Sequence, residues 1–164
     1  MMIKQETVAN ILNKIEENWP LSAEKCSPAV LRIHRIHDYH QQDLITILDK
    51  YDLQRADFGV LAALRRQGKA CCLTPTELYR SMLFSSGGLT KVLSRITTLG
   101  LIERIDNPED KRSKLVKLTE RGKVLIDEII QKLHNHEQEA ISVLTEQEQH
   151  QLNELLTKLL STRE

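Results

Sequence analysis

The stretch from Leu73 to Gly122, LTPTELYRSMLFSSGGLTKVLSRITTLGLIERIDNPEDKRSKLVKLTERG, constrains the fold more than any other part of the chain. Thr74-Pro75-Thr76-Glu77 has the form of a helix start. Thr74 serves as cap, Pro75 suits the first helical position, and Glu77 falls where it closes a capping box. That helix runs through Leu78, Tyr79 and Met82 and stops near Phe84. A second start follows, with Ser85 or Ser86 as cap and Gly87-Gly88 in the first turn. Beyond it, Leu89, Val92, Leu93, Ile96 and Leu99 fall on one side at about 100° per residue. Gly87, Thr90, Lys91, Ser94, Arg95 and Thr98 fall on the other. Gly100 reads as the residue that ends this helix. Leu101–Ile105 and Lys114–Leu118 read as paired strands around a turn-rich loop, Asp106–Ser113.

Helix, turn, helix, strand, charged turn, strand, helix is the order of a winged helix-turn-helix. The expected fold is mainly α with a small β wing. Such a unit sets one helix in a DNA major groove and a basic hairpin tip beside it. The polar side of the second helix holds no acidic residue, only short hydroxyls, Lys91 and Arg95, which suit phosphate oxygens and base edges. Ser86 and Gly87 are expected to offer backbone N–H groups at the positive end of the helix dipole. A solvated helix face would explain the polarity but not two glycines at a helix start. In the hairpin, Arg112 between Lys111 and Lys114 sits where an arginine enters a narrow minor groove, and Asp110 is expected to hold its fork. The predicted contact set is Thr74, Thr76, Ser85, Ser86, Gly87, Thr90, Lys91, Ser94, Arg95, Lys111, Arg112, Ser113 and Lys114, with Asp110 supporting the wing.

Charge patterning agrees with this only when the chain is divided. The formal net charge is zero. Residues 65–123, however, carry 13 basic and 6 acidic groups, against 7 and 9 before them and 3 and 8 after. Local field steers association with DNA. No signal peptide, lipidation motif or apolar run of spanning length is seen, so a cytoplasmic protein away from membranes is expected.

Around the reader, Ser27-Pro28 opens a helix reaching about Lys50, residues 54–67 form another, and residues 5–18 read as helical. Thr119 caps a long helix, and Thr145–Glu148 is a second capping box, opening a helix with Leu152, Leu155, Leu156, Leu159 and Leu160 along it. The terminal helices hold more leucine and isoleucine than two helices can bury, so a two-fold dimer is expected. The domain reading is 1–50 for N-terminal helices, 51–118 for the DNA-binding unit and 119–164 for C-terminal dimerisation helices.

Asp110-Lys111-Arg112, followed by an apolar stretch and Leu118-Thr119-Glu120-Arg121-Gly122, resembles the wing of the MarR family of bacterial transcriptional regulators. The resemblance covers most of the chain. It implies a homodimer on palindromic operators, usually a repressor released by a small molecule. FGVLAALRRQG and LTPTELYRSMLFSSGGLT further resemble the branch that answers to urate and related phenolic ligands. That branch implies a ligand site built from a tryptophan on an extra N-terminal helix, an aspartate and two arginines. Trp19 and Arg66 match two of these, whereas Gly59 and Val92 stand at the other aspartate and arginine positions. The expected effector is therefore a more apolar aromatic or phenolic molecule, or none.

Rival chemistries are weaker. Cys26, Cys71 and Cys72 raise thiol-based redox control. Neighbouring Cys71 and Cys72 lie about 3.8 Å apart at Cα, short for a disulfide, which leaves Cys26 pairing with either. His34, His37 and His40 spread over about 120° of a helix, too wide for one tetrahedral metal site. No metal or other cofactor is expected. The phosphate-loop, dinucleotide, nucleophile-elbow and HExxH motifs are all missing, so an enzyme is not expected. A winged helix that binds protein instead of DNA is the remaining alternative.

Overall fold

The computed structural model describes residues 5–82, 88–110 and 112–163. The chain divides inside its third helix into two compact units, residues 1–43 and 44–164. The sequence places that break near residue 50.

In the first unit, α1 (Val8–Asn18) is capped by Thr7, whose hydroxyl accepts from the Asn10 amide at 3.1 Å. Trp19 ends α1 and begins a single turn, α2 (Pro20–Ala23), which the sequence reading missed. The long α3 (Pro28–Asp49) follows, its start supported by the Ser27 hydroxyl. Arg35 donates to the Glu6 carbonyl at 2.8 Å, which ties α3 to the residues before α1.

The second unit is organised by α4 (Arg55–Arg65), in which every residue from Asp57 to Leu64 is buried. A helix apolar on all sides must be covered on all sides. It packs against β1 (Cys72–Leu73), α5 (Pro75–Ser81), α6 (Leu89–Thr98), β3 (Lys114–Leu118) and α7 (Glu120–Ile141). Leu61, Leu64, Leu78, Leu93, Ile96, Leu118, Ile126 and Ile129 form the fully buried centre. The sheet is antiparallel in the order β1-β3-β2, with β2 spanning Ile102–Asp106. Register runs from Ile102 opposite Leu118 to Asp106 opposite Lys114. Strand β1 pairs Cys72 with Lys117 and Leu73 with Val116, and the sequence reading did not find it.

One knot joins these elements. Thr119 caps α7, accepting from the Gly122 amide at 3.0 Å. Its hydroxyl also donates towards the carbonyls of Gly100 (2.8 Å) and Leu101 (3.1 Å). Gly100 ends α6 at φ +68°, and the Leu101 amide bonds back to Ile96. Arg65 clamps α4 to α7 by a two-pronged pair with Asp127, at 2.8 and 3.1 Å. Tyr51 donates to Glu128 at 2.7 Å, and Lys132 bonds both. A last helix, α8 (Glu146–Leu160), is capped by Thr145 and buries no residue.

Candidate nucleic-acid interface

Thr74 caps α5 as expected, and in doing so spends its hydroxyl on Glu77: it accepts from the Glu77 amide at 3.2 Å and donates to the carboxylate at 2.7 Å. The hydroxyl's bond to the carboxylate, with a second from the Thr74 amide, holds the Glu77 carboxyl below the ordinary glutamate range. Thr74 is therefore a structural cap, while Thr76 and Arg80 stay exposed. Ser85, Ser86, Gly87 and Lys111, all predicted contacts, lie outside the described residues.

Described α6 begins at Leu89, with Gly88 as its cap at φ +96°. This corrects the reading that put Gly88 in the first turn after a serine cap. A Cβ at Gly88 would meet open space, so the requirement for glycine there comes from its backbone angle. Val92, Leu93 and Ile96 are buried, and Thr90, Lys91 and Ser94 are exposed on the opposite side. Thr98 is exposed too, but its hydroxyl donates to the Ser94 carbonyl at 3.1 Å.

Arg95 departs from expectation. Its guanidinium donates through Nη2 (2.6 Å) and Nε (3.2 Å) to Oδ1 of Asp57, a carboxylate with no solvent exposure. Sequence reasoning missed Asp57 altogether, because an acid in a helix's first turn passes for a dipole partner.

The wing is held by its own turn. Asn107 donates to the Ser113 hydroxyl at 2.9 Å, and the Glu109 amide donates back to Asn107 at 3.0 Å. The Ser113 amide and hydroxyl both reach the Asp110 carbonyl. Ser113 thus fastens the turn, with its hydroxyl engaged inside the wing. Asp110 supports the wing through the backbone: Oδ1 accepts from the Arg112 amide at 3.0 Å, not from the guanidinium as predicted. That guanidinium is exposed and has no partner among the described residues. Lys114 is paired with Asp106, and Lys117 lies 3.7 Å from Glu103. Arg104 is exposed on β2 with no ion pair among the described residues, and strand alternation puts it on the face of Val116 and Lys114. The sequence reading passed over it.

The two proposed ligand residues fall in different units of the chain. Trp19 is 62% exposed and borders a shallow groove of about 420 Å³ with Ile11 and Ile15 in the first unit. Arg66, in the second, donates to the Ser81 carbonyl at 2.7 Å and ties α4 to the end of α5. All three cysteines are free thiols, and Cys71 is buried with its Sγ 2.8 Å from the Gly68 carbonyl. Among the described residues no cluster of three or more histidine, cysteine or acidic side chains is placed to hold a metal ion. No helix among them is long and apolar enough to cross a membrane.

Comparison with known proteins places this geometry. The sequence profile of the MarR family matches residues 51–113. The multiple antibiotic resistance protein MarR of Escherichia coli K12 is 36% identical over 132 residues, spanning 78% of this chain and 88% of that protein. The transcriptional regulator PecS of Dickeya dadantii is 28% identical over 113 residues, 69% of this chain and 68% of its own length. A cysteine-to-serine variant of E. coli MarR, solved with operator DNA, aligns at a TM-score of 0.67 and 33% identity. It covers 89% of this chain and 97% of that one.

Proposed function

The chain belongs to the MarR family of winged-helix transcription regulators, and from that we propose that it is a cytoplasmic repressor that binds a palindromic operator as a homodimer and leaves it when a small aromatic effector binds. The observation that carries the DNA reading is the division of the basic groups in the central segment. Arg65, Arg95, Lys114, Lys117 and Lys123 are committed to carboxylates. Lys91 on α6 and Arg112 on the wing are exposed and free of such partners. A reader needs its cations uncommitted where phosphates arrive, because neutralised phosphates release counterions and supply the affinity.

In this mechanism α6 enters the major groove and offers Thr90, Lys91 and Ser94, while Arg112 enters the flanking minor groove. Dimerisation sets the two heads roughly 34 Å apart, one helical turn of DNA. An effector acts only by binding the DNA-incompetent arrangement more tightly. Urate itself suits this chain poorly. At Gly59 an added Cβ would lie 3.1 Å from the Met82 methyl, and Val92 is buried in the core. Both charge positions of the urate branch are thus packed apolar ground, which favours a less charged aromatic molecule.

The test is a fluorescence-anisotropy titration of the DNA upstream of the protein's own gene, at several salt concentrations, against a scrambled duplex. Sequence-preferring binding that weakens steeply with salt is expected. No binding, or binding indifferent to salt, would transfer the winged helix to a protein partner.

A further inference from the structure

We propose that Arg95 is a positioning residue: through the buried Asp57 carboxylate it fixes the setting of the recognition helix α6 on α4, and so governs sequence preference, not phosphate affinity. The inference rests on the DNA reading above.

The Asp57 carboxylate receives three donors. Oδ1 takes Nη2 and Nε of Arg95, at 2.6 and 3.2 Å, and Oδ2 takes the Gln54 amide at 2.8 Å. One carboxylate thereby closes the start of α4 and anchors α6, across 38 residues of sequence. Its side chain has no exposure and that of Arg95 has 34%. A buried carboxylate left alone is strongly disfavoured, so the guanidinium is held in place by the charge it covers. Beyond the pair, α6 buries Val92, Leu93 and Ile96 in the same apolar core as Phe58, Leu61 and Ala62 of α4. Apolar contact is non-directional and tolerates small rotations and slides. A planar guanidinium fork on a fixed carboxylate does not. Lys91 and Ser94, which face solvent on the same two turns, inherit the setting that the pair imposes.

Base edges are read within hydrogen-bond reach, so a small rotation of α6 spoils specific contacts. Phosphate neutralisation by Lys91 is long-ranged and tolerates the same rotation, and Arg112 on the wing lies outside the helix that rotates. Loss of the fork should therefore lower discrimination and leave electrostatic binding intact.

The experiment starts from a random duplex pool from which the wild-type protein selects its preferred sequence. The selected duplex and a scrambled duplex of equal composition are then titrated, across salt, with Arg95→Lys, Arg95→Gln and Asp57→Asn. Arg95→Lys keeps the charge and loses the fork, and both Arg95 variants keep the test standing if Asp57→Asn fails to fold. Each folded variant is expected to lose about tenfold or more in the ratio of selected to scrambled affinity. Affinity for the scrambled duplex and the salt slope should stay at wild-type values. A wild-type ratio in the Arg95 variants overturns the proposal. So does equal weakening on both duplexes, whether from lost fold or from a slope reduced by about one phosphate. Failure of the wild-type protein to select any duplex would instead overturn the DNA reading, before any variant is compared.

Discussion

Arg112 and Arg95 present the same guanidinium in opposite circumstances, one exposed and unpaired at a hairpin tip, the other folded onto a buried acid. On the proposed reading, Arg112→Ala removes a minor-groove contact, and it should leave the wing turn intact, because Asp110 grips the backbone amide. It should weaken operator binding by about 1–3 kcal/mol in anisotropy titrations, whereas Lys91→Ala should lower the salt slope by about one. Undiminished affinity in the Arg112 variant would take the wing out of the interface. Gly122 invites a sharper test. A Cβ there would lie 2.1 Å from the Leu101 carbonyl oxygen, and backbone cannot yield as a side chain does. Gly122→Ala should lose several kcal/mol of stability or fail to fold, while Gly59→Ala, facing only the flexible Met82 methyl, should cost little. Thermal melts of the two variants decide it, and similar melting temperatures would refute the steric account. The exposed side of α6 was legible because exposure follows helical period. What each cation had as a partner was not, since the acid that claims Arg95 lies 38 residues away.

Elements with local chemistry of their own are readable in the sequence. Thr74 with Glu77 and Thr145 with Glu148 announce α5 and α8, and both boxes are formed. Strand β1 was invisible for a physical reason: two residues carry no alternation, and Cys72–Leu73 is a strand only by pairing with β3. The start of α6 was misjudged because serines suggest side-chain capping, whereas Gly88 supplies a left-handed backbone. The capping glutamates have a consequence in pH. The carboxyls of Glu77 and Glu148 are held below the ordinary glutamate range by their threonine partners, and that of Glu128 by Lys132 and Tyr51. A carboxyl depressed in the folded state contributes stability that is complete above its unfolded value and lost as pH falls through the folded one. Urea midpoints followed by circular dichroism should therefore hold near neutrality and fall from about pH 5 downwards. Thr145→Ala should lower the midpoint at neutral pH, because a lost cap costs about 1 kcal/mol of unfolding free energy, and flatten part of the acid dependence. A midpoint unchanged through the acid range would deny these carboxyls any part in stability.

At the scale of the whole molecule, zero net charge conceals a basic centre between acidic flanks. That asymmetry was legible, and so was the apolar excess of the C-terminal helices. The fold buries none of α8, and Leu152, Leu155, Leu156, Leu159 and Leu160 lie along it at spacings of three and four, 38–62% exposed. Burying one leucine is worth about 1.5–3 kcal/mol, so such a stripe left in water is a standing drive to associate. The proposed symmetric pair would supply the cover and also the second reading head that a palindrome requires. Leu155→Glu with Leu159→Glu sets like charges into that seam without touching the winged helix. Sedimentation velocity at micromolar concentration should show a dimer for the wild-type protein and a monomer for the double variant. Operator affinity in the variant should drop by about 10²–10⁴, the avidity given up when one head binds alone, while binding to a single half-site stays as it was. A wild-type monomer would remove the two-headed reader altogether. A double variant that remains a dimer would show that some surface other than the α8 leucines joins the subunits, and the spacing argument would then have to be made from that surface.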